Sequence, residues 1–114
     1  MVQQHHPLAD NAVCVGDGRV LLPRALCERY LAATPAAVLL EREDGIYLVP
    51  LGGPSAGGML LKQRNAHGDR VLLAEEFLSP YGLGRFSLER TFAVRWVEEA
   101  GALQIVGLEL LNRR

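Results

Sequence analysis

Apolar residues fall in short runs along this chain, and most runs end in a turn signal. Ala12–Val15 is β-prone, "GDG" at 16–18 turns it, and Arg19–Leu22 is a second strand candidate. Pro23 then opens a helix, since a missing N–H costs nothing at a first helical position. Leu26 and Tyr30 are four apart, as are Cys27 and Leu31, so one stripe of this helix faces a core. Thr34-Pro35 is expected to end it. Ala37–Glu41 and Ile46–Leu51 are apolar strands around "REDG", with Asp44-Gly45 as the hairpin signal. "GGPSAGG", residues 52–58, reads as a linker.

The pattern then starts again. Met59–Gln63 is a strand candidate, "NAHGD" a turn, Arg70–Leu73 a strand, and Ala74–Leu78 a helix cut short by Pro80. A longer connection, 82–91, leads to Phe92–Val97 and Leu103–Leu108, which turn at "EEAG". Arg19-Val20-Leu21-Leu22 recurs as Arg70-Val71-Leu72-Leu73, Val38 aligns with Val94, and Gly45 with Gly101. One copy has apolar strands with no wet face and cannot cover them alone. Two copies related by a pseudo-two-fold close one small barrel, the fused form of a symmetric dimer. The expected fold is mainly β with short helices: a pseudo-two-fold β-barrel from two internal repeats, 12–51 and 59–110. Residues 1–11 are a loose tail ahead of this single barrel domain, 12–114.

Composition narrows the function. Apolar residues are 49% of the 114 and charged residues 22%, which suits a globular chain and argues against disorder. The net charge of -1 lacks the surplus of a basic nucleic-acid binder, although a basic patch can sit on a neutral protein. Residues 1–56 carry -2 and residues 57–114 carry +1. Cys14 and Cys27 fit neither a metal pattern nor a disulfide framework, and both read as small hydrophobes. His5 and His6 have no third ligand in reach by sequence. No run approaches the ~20 apolar residues of a membrane span and no leader is visible, which predicts a soluble protein of the reducing cytoplasm. No catalytic constellation stands out, "GGPSAGG" lacks the lysine of a phosphate loop, and Glu98-Glu99 reads as a solvated turn, so neither an enzyme nor a cofactor is expected.

"VCVGDGRVLLPRALCERYLAATPAAVLLEREDGIYLVPL", residues 13–51, resembles the AbrB/SpoVT family of swapped-hairpin DNA-binding domains. The matching parts are the turn before Gly18-Arg19-Val20, then Leu21, Leu22 and Pro23, the short helix, and the closing hairpin with "DG". The second unit keeps "GDRVLL" but has Ala74 where the motif has proline, and Glu75-Glu76 where a basic residue is usual. Two tandem copies in one chain also look like the MraZ arrangement. The resemblance implies a swapped-hairpin (cradle-loop) barrel and a bacterial or archaeal transcription regulator or antitoxin that binds its own promoter. It implies a DNA face built from Arg19 and Arg24 in the first unit, and from Arg70, Lys62, Arg64 and His67 in the second.

Two readings of these residues compete. Arg19 and Arg70 occupy equivalent positions and equally suit structural ion pairs, with Glu43 or Glu99 as partners. Asp17, Asp69 and Glu75 stand beside the candidate arginines and weaken a phosphate-binding face. The alternative is a protein–protein interaction or assembly module on the same barrel, with the 82–91 connection as its partner loop. A small-ligand barrel is the third reading. A homo-oligomer fits either of the first two. Arg19, Arg24, Lys62, Arg64 and Arg70 gathered on one exposed face would favour DNA, and their pairing with Asp17, Asp69, Glu75 and Glu76 would favour the interaction module.

Overall fold

The computed structural model describes residues 11–52 and 58–112. Of the tail read over 1–11 only Asn11 is described, its carbonyl accepting from the Val94 N–H at 2.6 Å; the rest, with His5 and His6, and most of the linker lie outside these residues. All eight strand candidates form. β1 (Ala12–Gly16) and β2 (Arg19–Leu22) make a hairpin, α1 (Arg24–Tyr30) follows, and β3 (Ala36–Arg42) and β4 (Gly45–Leu51) make a second hairpin. The second half runs β5 (Met59–Gln63), β6 (Arg70–Leu73), α2 (Glu75–Leu78), a 3-10 turn over Ser79–Tyr81, β7 (Arg90–Val97), β8 (Ala102–Ile105) and a 3-10 turn over Leu108–Leu111. The strands close an antiparallel barrel in the order β1-β2-β6-β5-β3-β4-β8-β7. The chain is mainly β, with two short helices.

Exchanging β1–β4 for β5–β8 carries this strand order into itself. Two ladders lie on the exchange axis. In β2·β6, Arg19 faces Leu73 and Leu22 faces Arg70. In β4·β8, Ile46 faces Ile105 and Leu48 faces Leu103, with Tyr47 opposite Gln104. The flanking ladders also correspond, since Ala12↔Ala93 and Val13↔Phe92 match Met59↔Ala37 and Leu60↔Ala36. The hairpin turns fall out of step: Gly16 pairs with Arg19 across two residues but Gln63 with Arg70 across six, and the closing hairpins differ likewise. Arg42 pairs with Gly45 across two residues, whereas Val97 pairs with Ala102 across four.

Period-two alternation fills the barrel. Val13, Val15, Ala37, Leu39, Ile46, Leu48, Leu103 and Ile105 point inward, all below 5% exposed. Leu26, Cys27 and Leu31 from the α1 region and Leu78, Tyr81 and Leu83 from the α2 region join the same core cluster. Burial of this kind contributes roughly 1.5–3 kcal/mol per large aliphatic side chain. A closed barrel leaves no sheet edge to pair with other chains.

Several boundaries differ from the sequence reading. Pro23 caps α1 from an extended conformation (ψ 154°) instead of opening it. The helix stops at Tyr30, before Thr34-Pro35, because Leu31 leaves helical geometry (φ -128°) with its side chain fully buried. In the β3–β4 hairpin the turn residues are Glu43 and Asp44, and the positive φ (144°) falls on Gly45. β7 begins two residues early because Arg90 and Thr91 pair with Val15 and Cys14. β8 ends at Ile105 because Gly107 (φ 89°) turns the chain so that Leu108 is buried.

Candidate functional site

The β1–β2 turn follows from two residues. Asp17 (φ 51°) and Gly18 (φ 75°) both adopt left-handed conformations, as a two-residue hairpin demands. The equivalent β5–β6 turn has six residues and is organised by Asn65. The Asn65 carboxamide oxygen accepts from the His67 and Asp69 N–H groups, and its Nδ2 donates to Asp69 at 2.9 Å. The other Asp69 oxygen accepts from the Arg24 N–H at 2.8 Å, satisfying a free donor at the start of α1. Asp69 is therefore held below the usual carboxylate range, first by the Asn65 hydrogen bond and then by that backbone donor.

The six basic candidates differ in what they touch: Arg24 and Arg70 line one shallow hollow with Gly68, Arg64 and His67 lie around Asp69, and Arg19 turns to Glu89. Arg19 sits 3.5 Å from Glu89, so its partner is neither Glu43 nor Glu99. Among the described residues Arg70 makes no carboxylate pair. Its guanidinium donates to the Leu61 carbonyl at 2.9 Å and to the Leu31 carbonyl at 3.5 Å, which ties β6 to β5 and to the end of α1. Arg24 is bound to Glu28 one helical turn on, at 2.8 Å. This carboxylate raises the Arg24 pKa above its ordinary value, and the aliphatic stem of Arg24 lies against Gly68. Lys62, Arg64 and His67 are exposed on β5 and the following turn. Arg64 shares a cavity of about 280 Å³ with Asp69 and Glu89. Five cations thus have a carboxylate or carbonyl partner or a nearby carboxylate: Arg19, Arg24, Arg64, Arg70 and, on the neighbouring loop, Arg85 with Glu75.

The same end of the barrel carries a different feature. The loop 82–89 is fastened to the β1–β2 turn by a set of hydrogen bonds. Gly18 N–H donates to the Leu83 carbonyl at 2.9 Å, Asp17 N–H to Ser87 Oγ at 2.8 Å, and Phe86 N–H to an Asp17 carboxylate oxygen at 2.7 Å. Ser87 Oγ in turn donates to the Gly84 carbonyl. Gly16 admits the loop, because a Cβ there would lie 2.5 Å from the Glu89 Cα. Held this way, Phe86 has a positive φ of 69°, an outlier for a bulky residue. Such strain costs on the order of 1–3 kcal/mol and persists only where surrounding contacts impose it. The result is that Phe86 and Leu88 are each 87% exposed, the two most exposed large apolar side chains among the described residues.

The sequence reading marked this connection as a partner loop but named no residue in it. The available signal was an aromatic and a leucine two apart inside a Gly, Arg and Ser stretch, where neither has a helix or strand to bury it. Trp96 is half-buried and stacks on Tyr30 at 5.2 Å, with its N–H on Glu98. Tyr81 is in the core. Glu98 and Glu99 are exposed at their turn.

Among the described residues no three His, Cys, Asp or Glu side chains are placed to hold a metal, and no helix is long and apolar enough to cross a membrane. No protein-family model, curated protein or solved structure matches this chain.

Proposed function

We propose that this protein is a protein-interaction module on a swapped-hairpin barrel of the AbrB/SpoVT type, with the 82–89 loop as its recognition element and without a nucleic-acid role. The observation that carries this reading is the display of Phe86 and Leu88 by a loop whose backbone is fixed at several points. An exposed aromatic on a preorganised backbone loses little conformational entropy on binding, and aromatic anchors dominate protein interfaces. The partners of three candidate arginines add to this reading, although none of these side chains pairs with Asp17, Asp69, Glu75 or Glu76. Phosphate binding needs cations free to displace counterions, and Arg19, Arg24 and Arg70 already serve groups of the chain itself.

Photo-cross-linking tests it. A photoreactive phenylalanine at position 86, expressed in the native cell, is expected to yield a discrete protein adduct. The same group at Leu110, also exposed, is expected to yield none. Lack of any specific adduct from position 86 would remove the reading. The promoter-binding regulator keeps one specific observation in its favour: Lys62, Arg64 and His67 cluster on one exposed strand end and turn. Nucleic-acid adducts from position 62 would revive it.

A further inference from the structure

The same end of the molecule also contains a receptacle for the displayed aromatic. A groove of about 390 Å³ runs beside α2, walled by Val38, Met59, Leu73 and Phe77 and rimmed by Glu75 and Glu76. A cavity of ~150 Å³ already holds a benzene ring, so this groove has room for a phenylalanine and part of a neighbour. Leu73 on its wall is 50% exposed and Leu60 on the adjacent strand is 63% exposed. Knob and groove lie next to each other, because Arg85, one residue before Phe86, reaches Glu75 on the groove rim at 3.3 Å. Phe86 does not fold back into its own groove, as its exposure shows.

We propose that the groove receives Phe86 of a second copy of this chain, so that two copies pair about a two-fold axis with reciprocal insertion. This rests on the interaction-module reading and names its partner. A two-fold contact requires that one patch serve both copies, which the adjacency of knob and groove through Arg85 and Glu75 allows, and the assembly then closes at two. Charge fits as well. The arriving knob carries Arg85, whose guanidinium lies 6.0 Å from the Phe86 ring and which would exchange its exposed pair with its own Glu75 for the carboxylates of the receiving groove, Glu75 and Glu76. Glu76 makes no ion pair among the described residues and is open to an arginine from outside. Two phenylalanines contribute on the order of 300–500 Å², and Leu60, Leu73 and Leu88 from each copy extend the contact toward the ~1,200 Å² of a standard interface.

Sedimentation equilibrium of the full chain at up to about 200 μM tests the pairing. The expected result is a dimer whose dissociation constant rises at least tenfold in Phe86→Asp and in Leu73→Lys. Both positions are exposed, so folding is preserved, and circular dichroism checks it. Mixing the two variants is the decisive arm. Phe86→Asp keeps an intact groove and Leu73→Lys keeps an intact knob, so the mixture is expected to associate more tightly than either variant alone. A monomeric wild type, an assembly that grows beyond two, or a mixture no tighter than its components would overturn the proposal. A monomeric wild type that still cross-links to another protein from position 86 would remove the self-partner and leave the interaction reading standing. Failure of both would remove both.

Discussion

Substituting Gly16 by alanine probes the fastening of the 82–89 loop at its tightest point. The added Cβ would stand 2.5 Å from the Glu89 Cα, 2.7 Å from the Leu88 carbonyl oxygen and 2.9 Å from the Glu89 nitrogen. Carbon atoms prefer separations of about 3.5–4.0 Å, so the backbone at 88–89 has to retreat by about 1 Å. All three clashing atoms are backbone, and no side-chain rotation relieves them. Overpacking of this kind costs about 1–3 kcal/mol. The retreat also loosens the Arg19–Glu89 pair and the Asp17–Ser87 hydrogen bond, the latter worth about 1 kcal/mol. The smaller entropy of an unfolded chain with alanine offsets about 0.4–1 kcal/mol. The net expectation is a loss of about 1–3 kcal/mol, or roughly 5–15 °C in Tm for a domain of this size. Thermal and urea unfolding followed by circular dichroism measure it. Gly52→Ala is the control, because nothing among the described residues lies within 4 Å of its added carbon and its φ is not in the left-handed region. Its expected effect is within about 0.5 kcal/mol. Equal stability of the two variants would refute the packing argument, and with it the claim that the loop is held rigidly.

Three further outcomes follow from other contacts. Asp69→Ala removes the acceptor of the Arg24 N–H and the partner of Asn65, and is expected to cost about 1 kcal/mol in urea unfolding at neutral pH. Because the folded Asp69 pKa is lowered, its contribution is present above the ordinary value of ~3.9 and is lost as pH falls through the folded value. The gap between wild type and variant should therefore close in strong acid; a gap that persists there would contradict the assignment. Gln104 is buried, accepting from Arg95 Nε at 2.7 Å and donating to the Asp44 carbonyl at 2.9 Å; Gln104→Ala is expected to cost about 1–3 kcal/mol by thermal melting, and a neutral result would contradict its role as a tie between the two closing hairpins. Burial pushes the Cys27 thiol up to about 11, so a thiol reagent at pH 8 should modify Cys14 first and Cys27 only on unfolding; two equally fast thiols in the native protein would count against this core.

Much of the fold was legible because barrel closure is a problem of period and length. The repeated Arg-Val-Leu-Leu marks β2 and β6, the pair that meet across one seam, with each arginine opposite the last leucine of the other strand. Turn chemistry at "GDG" was equally readable, since only residues that accept positive φ fit a two-residue hairpin. The partners of the basic residues were not legible. Arg19 meets Glu89 and the Arg24 N–H is capped by Asp69 beside the neighbouring strand β6, contacts between positions far apart in sequence that depend on which strands become neighbours. The β7 start and the β8 end shifted for the same reason: pairing with β1 and burial of Leu108 override local pattern. The prominence of Phe86 was hidden because its strained backbone is imposed by Asp17, which lies 69 residues earlier in the chain.

The central claim is that this end of the barrel offers an apolar recognition surface and not a phosphate-binding one. Fluorescence anisotropy of a labelled, non-specific DNA duplex, titrated with the folded protein across a salt series starting at low ionic strength, tests it most directly. The account expects no salt-dependent association, because Arg19, Arg24 and Arg70 are already engaged within the chain. Binding that falls steeply with salt, and that weakens in an Arg19→Ala/Arg70→Ala variant of unchanged fold, would contradict it and return the turns to DNA.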